Sequence, residues 1–66
     1  MEYKIKQFRN EKNISQEELA RLSGVSRAII SGLESGSIKT TTTSTLSKIA
    51  EALGKKVSDL FFEQRV

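Results

Sequence analysis

Apolar residues in this chain recur at three- and four-residue intervals, interrupted by glycine and short polar stretches. Such spacing marks amphipathic helices, whereas strand-like alternation is weak and no proline occurs. The pattern predicts five helices. The first covers about residues 2–12, with Ile5 and Phe8 on one face, Tyr3 beside them, and Asn13 suited to a left-handed terminus. Ile14 is placed to staple the next start. That start is a capping box, Ser15-Gln16-Glu17-Glu18, with Ser15 as N-cap and Glu18 reaching back to it. Leu19 and Leu22 form the apolar stripe of the second helix, with small Ala20 alongside. Gly24 offers a left-handed backbone position without steric cost, and Val25 can plug the space between two helices. Ser26 reads as N-cap of a third helix, about 27–35, closed by Gly36. One of its faces carries Ile29, Ile30 and Leu33, the other Arg27, Ala28, Ser31, Gly32 and Ser35. A loop over 37–41 leads to Thr42, the expected N-cap of a fourth helix over about 43–53. Leu46, Ile49, Ala50 and Leu53 lie there at i, i+3, i+4 and i+7, and Gly54 ends the run. A short fifth helix over about 57–62 presents Val57, Leu60 and Phe61. The expected fold class is thus all-α, a compact five-helix domain.

Composition narrows the function more than the fold. With 66 residues there is room for one domain, 1–66, that buries only about 60% of the surface its unfolded chain exposes. Such small scaffolds usually lean on disulfides, a metal or oligomerisation. Neither Cys nor His is present, which removes disulfides, Cys/His metal sites and any histidine-dependent triad. Helix packing, with or without a partner subunit, is left to supply stability. Glu17 and Glu18 cap a helix and point about 100° apart, so they are no carboxylate dyad. No phosphate-cradling glycine motif occurs. An enzyme is not expected, nor a cofactor or small-molecule ligand. No apolar run approaches the roughly 20 residues that span a membrane, and residues 1–10 do not resemble a signal peptide. The lack of cysteine fits the cytoplasm. The net charge of +3 suits a polyanionic partner but equally suits plain solubility.

Two short helices joined by a glycine-containing turn make a helix-turn-helix. In that arrangement the first helix crosses the DNA backbone and the second enters the major groove, N-terminal residues on base edges. The geometry asks for a small residue where the helices approach, a bend between them, an apolar plug at the corner, and a second helix with one face free of core duty. Ala20, Gly24, Val25 and the Arg27 face meet these demands. The segments Ser15-Gln16-Glu17-Glu18-Leu19-Ala20, Gly24-Val25-Ser26, Ile30-Ser31 and Glu34-Ser35-Gly36 together resemble the Xre family, the Cro and lambda-repressor type. The string Leu46-Ser47-Lys48-Ile49-Ala50-Glu51-Ala52-Leu53-Gly54 continues the resemblance, which covers about residues 3–61.

The resemblance implies a lambda-repressor-like DNA-binding domain and a set of site residues. Arg27 and Ala28 stand where the family's first base-reading side chains stand. Gly32 occupies a third such position without a side chain to read with. Ser31 shares the exposed face and suits a base edge or a phosphate. Gln16 resembles the family's phosphate-contacting glutamine, and its backbone N–H at a helix N-terminus suits an anion. Ser35, Ser37, Lys39, Thr40, Thr41 and Thr42 are candidates for phosphate contact. For the threonines a plain loop and helix cap explains the run equally well. Arg9 and Glu34 resemble the family's internal salt bridge, a structural role. Arg27 either reads guanine through a bidentate bond to O6 and N7 or neutralises phosphate. Ile29 either belongs to the core or touches a thymine methyl. Lys55 and Lys56 replace an apolar residue and a capping serine, which weakens the start of the fifth helix. Phe61, Phe62 and Val66 make an apolar C-terminal end, which is either core and surface or a homodimer contact. Dimers of this type space two recognition helices about 34 Å apart. The function so implied is a sequence-specific transcriptional regulator, a repressor acting as a homodimer on double-stranded DNA. The alternative is a helix-turn-helix module, such as an antitoxin or regulatory subunit, acting mainly through a protein partner.

Overall fold

The computed structural model describes residues 3–60. Four α-helices run in order: α1 (Ile5–Glu11), α2 (Gln16–Ser23), α3 (Arg27–Ser35) and α4 (Thr43–Leu53), followed by a 3₁₀ turn at Val57–Leu60. The all-α expectation holds. The expected fifth helix is instead a single tight turn among the described residues, and α1 is shorter than the predicted 2–12. Phe61, Phe62 and Val66, the expected dimer contacts, lie outside the described residues.

The local signals act as their chemistry predicts at most helix ends. Ser15, Ser26 and Thr42 each accept a hydrogen bond from the backbone N–H three residues on, at 3.0, 3.2 and 3.1 Å. Each thereby satisfies a donor that the first helical turn would otherwise leave without a partner. Asn13 adopts a left-handed conformation (φ 58°) and releases the chain from α1. The reciprocal half of the capping box differs from expectation, because the Glu18 carboxylate pairs with Arg21 one turn further along α2. At the 3₁₀ turn, Asp59 performs a similar reach-back and accepts the Lys56 N–H at 3.0 Å.

The core is apolar throughout. Ile5, Leu19, Ile30, Ile49 and Leu60 are fully buried, with Leu33, Leu46, Ala50, Leu53, Val25 and Tyr3 nearly so. Leu22 is a correction to the predicted stripe, being 50% exposed. The inward row of α2 is Gln16, Leu19, Ala20 and Ser23, an i, i+3, i+4, i+7 series, and Leu22 falls to one side of it. Ile29 is half-buried and packs against the core. Two contacts close the molecule around α1. The Lys4 N–H donates to the Leu60 carbonyl at 2.6 Å, and Lys55 Nζ sits 4.7 Å from the centre of the Phe8 ring, within cation–π range.

Candidate nucleic-acid interface

The bend between α2 and α3 is built from three neighbouring residues. Gly24 takes φ 75°, a conformation that costs a residue with a Cβ about 1–2 kcal/mol. Val25 follows, 7% exposed, and enters the core, while its N–H is held by the Ser23 hydroxyl at 3.2 Å. Ser26 then opens α3. The outcome is a helix with two unlike sides. Ile30 and Leu33 are buried, whereas Arg27, Ala28, Ser31 and Ser35 are exposed. Ile30 and Leu33, with half-buried Ile29 beside them, therefore anchor α3, and the side chains of its exposed face perform no core function.

A polar network fixes how α3 sits against its neighbours. The Arg9 guanidinium grips Glu34 with both ends of its fork, Nε to Oε2 at 2.8 Å and Nη2 to Oε1 at 3.1 Å. Its remaining terminal nitrogen donates to the Ile14 carbonyl at 2.8 Å. Gln16 Nε2 adds a third donor to Glu34, at 3.0 Å. One carboxylate thus links α1, the turn after it, α2 and α3. The side chains are 12% (Arg9) and 4% (Glu34) exposed, so the pair is partly withdrawn from water, and such pairs are tolerated when hydrogen bonds complete them. Burial by itself pushes the Glu34 carboxyl up. Hydrogen bonds from Arg9 and Gln16, with the charges of Arg9 and Lys6, outweigh it and hold the group below its ordinary value. The ion pair that the resemblance implies between Arg9 and Glu34 is present.

The remaining predicted site residues divide into exposed and engaged groups. Arg27, Ala28, Ser31 and Lys39 are exposed and lie on α3 or the loop that follows it. Gln16 is half-buried, with its amide nitrogen directed to Glu34. Ser35 and Ser37 close the C-terminal end of α3. Their hydroxyls lie 3.2 Å apart, and each donates to the Gly32 carbonyl, at 3.3 and 3.5 Å. Thr42 is the α4 cap, and its hydroxyl also meets that of Thr45 at 3.0 Å. Thr40 is exposed and Thr41 half-buried.

Gly32 is a correction. The helical wheel puts it on the outer face, but it is buried. At about 100° per residue it lies on the flank of that face, and the returning loop lays Ile38 across it. It is not available to a base edge. Ile38 itself escapes the periodicity argument, because it belongs to no helix. Its signal in the sequence is that it is the one apolar residue between Leu33 and Leu46.

Comparison with known proteins agrees with this geometry. Residues 5–60 match the family model described as helix-turn-helix. Among curated proteins none matches the sequence. Among solved structures the chain is similar to the restriction-modification controller protein C.AhdI from Aeromonas hydrophila. The identity is 34% and the TM-score 0.81, over 88% of this chain and 86% of that one. With capped helices bent at Gly24, an outward α3 face and a family match over nearly all its length, the chain belongs to the Xre-type helix-turn-helix family of DNA-binding transcription regulators.

Proposed function

We propose that the protein is a sequence-specific repressor that binds double-stranded DNA as a homodimer, in the cytoplasm, with α3 in the major groove. The observation that carries this reading is the exposed face of α3, where Arg27, Ala28 and Ser31 stand clear of the core. Arg27 opens the helix, the position from which a groove-bound helix meets base edges. Its guanidinium suits guanine O6 and N7, a pairing that carries about 1–3 kcal/mol of discrimination. Ala28 and Ser31 complete the base-facing set, Ala28 against a thymine methyl.

Phosphate contacts flank that set. The Gln16 amide carries two N–H groups; one serves Glu34, and the second is assigned to phosphate. Lys39, Thr40 and Thr41 lie in the loop after α3 and are assigned to the backbone on the other side; Ser35, Ser37 and Thr42 border it, and their hydroxyls donate to a phosphate only by giving up the bonds they make within the chain. One nine-residue helix touches few base pairs, which favours a symmetric pair of chains on a near-palindromic site. The similar controller protein belongs to a restriction-modification system, and a promoter of that kind is the first regulated site to test.

Binding-site selection from random-sequence DNA tests the reading. A two-fold symmetric consensus, bound with a steep loss of affinity as salt rises, is expected. Arg27→Ala should lose site preference more than total affinity. If the variant recovers the same consensus as the parent, Arg27 does not read bases.

A further inference from the structure

Gly32 has no side chain, yet the loop after α3 is assembled on it. Its carbonyl oxygen accepts the N–H groups of Gly36 and Ile38, both at 3.0 Å, and the hydroxyls of Ser35 and Ser37. The Ile38 side chain lies directly over its Cα. A Cβ added at Gly32 would meet Ile38 Cδ1 at 2.5 Å and Cγ1 at 2.6 Å. Carbon atoms that touch sit about 3.5–4.0 Å apart, so any side chain at this position displaces Ile38. Nor can Ile38 swing aside freely, for it is half-buried and packed against the core. The next residue is held by the start of the chain, its Lys39 carbonyl accepting the Tyr3 hydroxyl at 3.3 Å. Tyr3 is itself part of the core. Residues 37–39 are thus clamped between α3 and the start of the chain. The exposed Thr40 and the cap of α4 follow directly.

We infer that Gly32 and Ile38 form a positioning joint, which sets the loop of residues 37–42 at a fixed height beside the exposed face of α3. The inference rests on the DNA-binding reading above. α3 and this loop must meet the same duplex, one on base edges and the other on phosphates. Phosphate contacts set register and orientation without carrying sequence information. Gly32 is therefore a positioning residue that touches no base. The joint depends on complementary sizes, nothing at 32 and a full aliphatic side chain at 38. Disturbing it lowers the number of phosphates gripped and leaves base preference intact.

The test uses the full chain and the duplex recovered by selection, with binding measured by fluorescence anisotropy over a salt series. Gly32→Ala, Ile38→Ala and the double variant are compared at a temperature where circular dichroism shows each folded. Either single variant should weaken binding about tenfold and flatten the slope of log K against log salt by roughly 0.9 for each phosphate that the loop no longer grips. Both should select the parent's consensus. In the double variant the new methyl enters space that Ile38 has vacated, so it should bind more tightly than the two single effects multiplied together. Should Gly32→Ala fail to fold, recovery of folding in the double variant supports the joint, and Ile38→Ala carries the binding measurement. A folded single variant with the parent's affinity and slope overturns the joint. So does strict additivity in the double variant, or a changed consensus in any of them. If the parent itself retains no DNA, the DNA-binding reading fails instead. The joint is then read by hydrogen exchange: faster exchange of the Ile38 amide in Gly32→Ala, with Ile49 unchanged, supports it, and equal rates at Ile38 overturn it.

Discussion

Glu34 feels two opposed influences, and their balance sets a pH dependence. Burial favours its neutral form, while donors from Arg9 and Gln16 and the positive charges of Arg9 and Lys6 favour the carboxylate and prevail. A carboxyl whose folded-state pKa lies below its unfolded one stabilises the fold at pH above the unfolded value. That contribution fades as pH falls through the folded value. The denaturation midpoint in urea should therefore be level near neutrality and drop as the pH falls below the ordinary 4.5. Glu34→Gln should be less stable at pH 7 and lose part of this acid-limb slope. An unchanged slope would assign the acid sensitivity to other carboxylates. Glu34→Ala leaves a largely buried guanidinium without its carboxylate and should cost about 3 kcal/mol. For a chain of this size that is a large share of total stability. This pair was legible in the sequence through the family resemblance. Gln16 as its third member was not, because a helix-opening glutamine looks exposed until α3 is placed beside it.

At the scale of helices and turns, the two glycines of the motif differ in kind. Gly24 has φ 75° and open space where an alanine methyl would sit, so Gly24→Ala meets only backbone strain. Its expected cost is about 1 kcal/mol, a fall in Tm of roughly 4–8 °C in a domain this small. Gly32 lies within regular helix and is restricted by Ile38 instead. Ser26→Ala removes the α3 cap and should also cost about 1 kcal/mol. Thermal melts followed by circular dichroism check both substitutions. A Ser26→Ala variant as stable as the parent would mean the Ile29 N–H finds water at no penalty. Helix positions were legible because caps and stops are local chemistry, and Ser15, Ser26, Thr42, Gly24, Gly36 and Gly54 act in the structure as they read in the chain. The outward turn of Leu22 was not, since an i, i+3 leucine pair looks like a stripe until neighbours show which side of it is covered.

For the molecule as a whole, the described residues rest on an apolar cluster and the largely covered Arg9–Glu34 ion pair, with no cysteine to form a disulfide. A domain of this size is marginal by itself. If two chains associate as proposed, Tm should rise with protein concentration, and rise again when the selected duplex is added, because both bind only the folded form. A concentration-independent Tm, with a monomer mass in sedimentation, would remove the homodimer and leave DNA binding to be explained by single chains.

With the exception of Leu22, the residues that cap, bend and bury along the helices were determined by the sequence alone, since capping hydroxyls, a left-handed glycine and apolar spacing act over a few neighbouring residues. So was the free face of α3, because a helix with Ile29, Ile30 and Leu33 anchored on one side must turn its Arg27 side away from them. Only the tertiary structure decided that Gly32 is covered, that Tyr3 reaches Lys39, and that Gln16 joins Arg9 on Glu34. Those contacts join residues 18 to 36 positions apart or depend on the path of an irregular loop. No local periodicity encodes where such a loop returns.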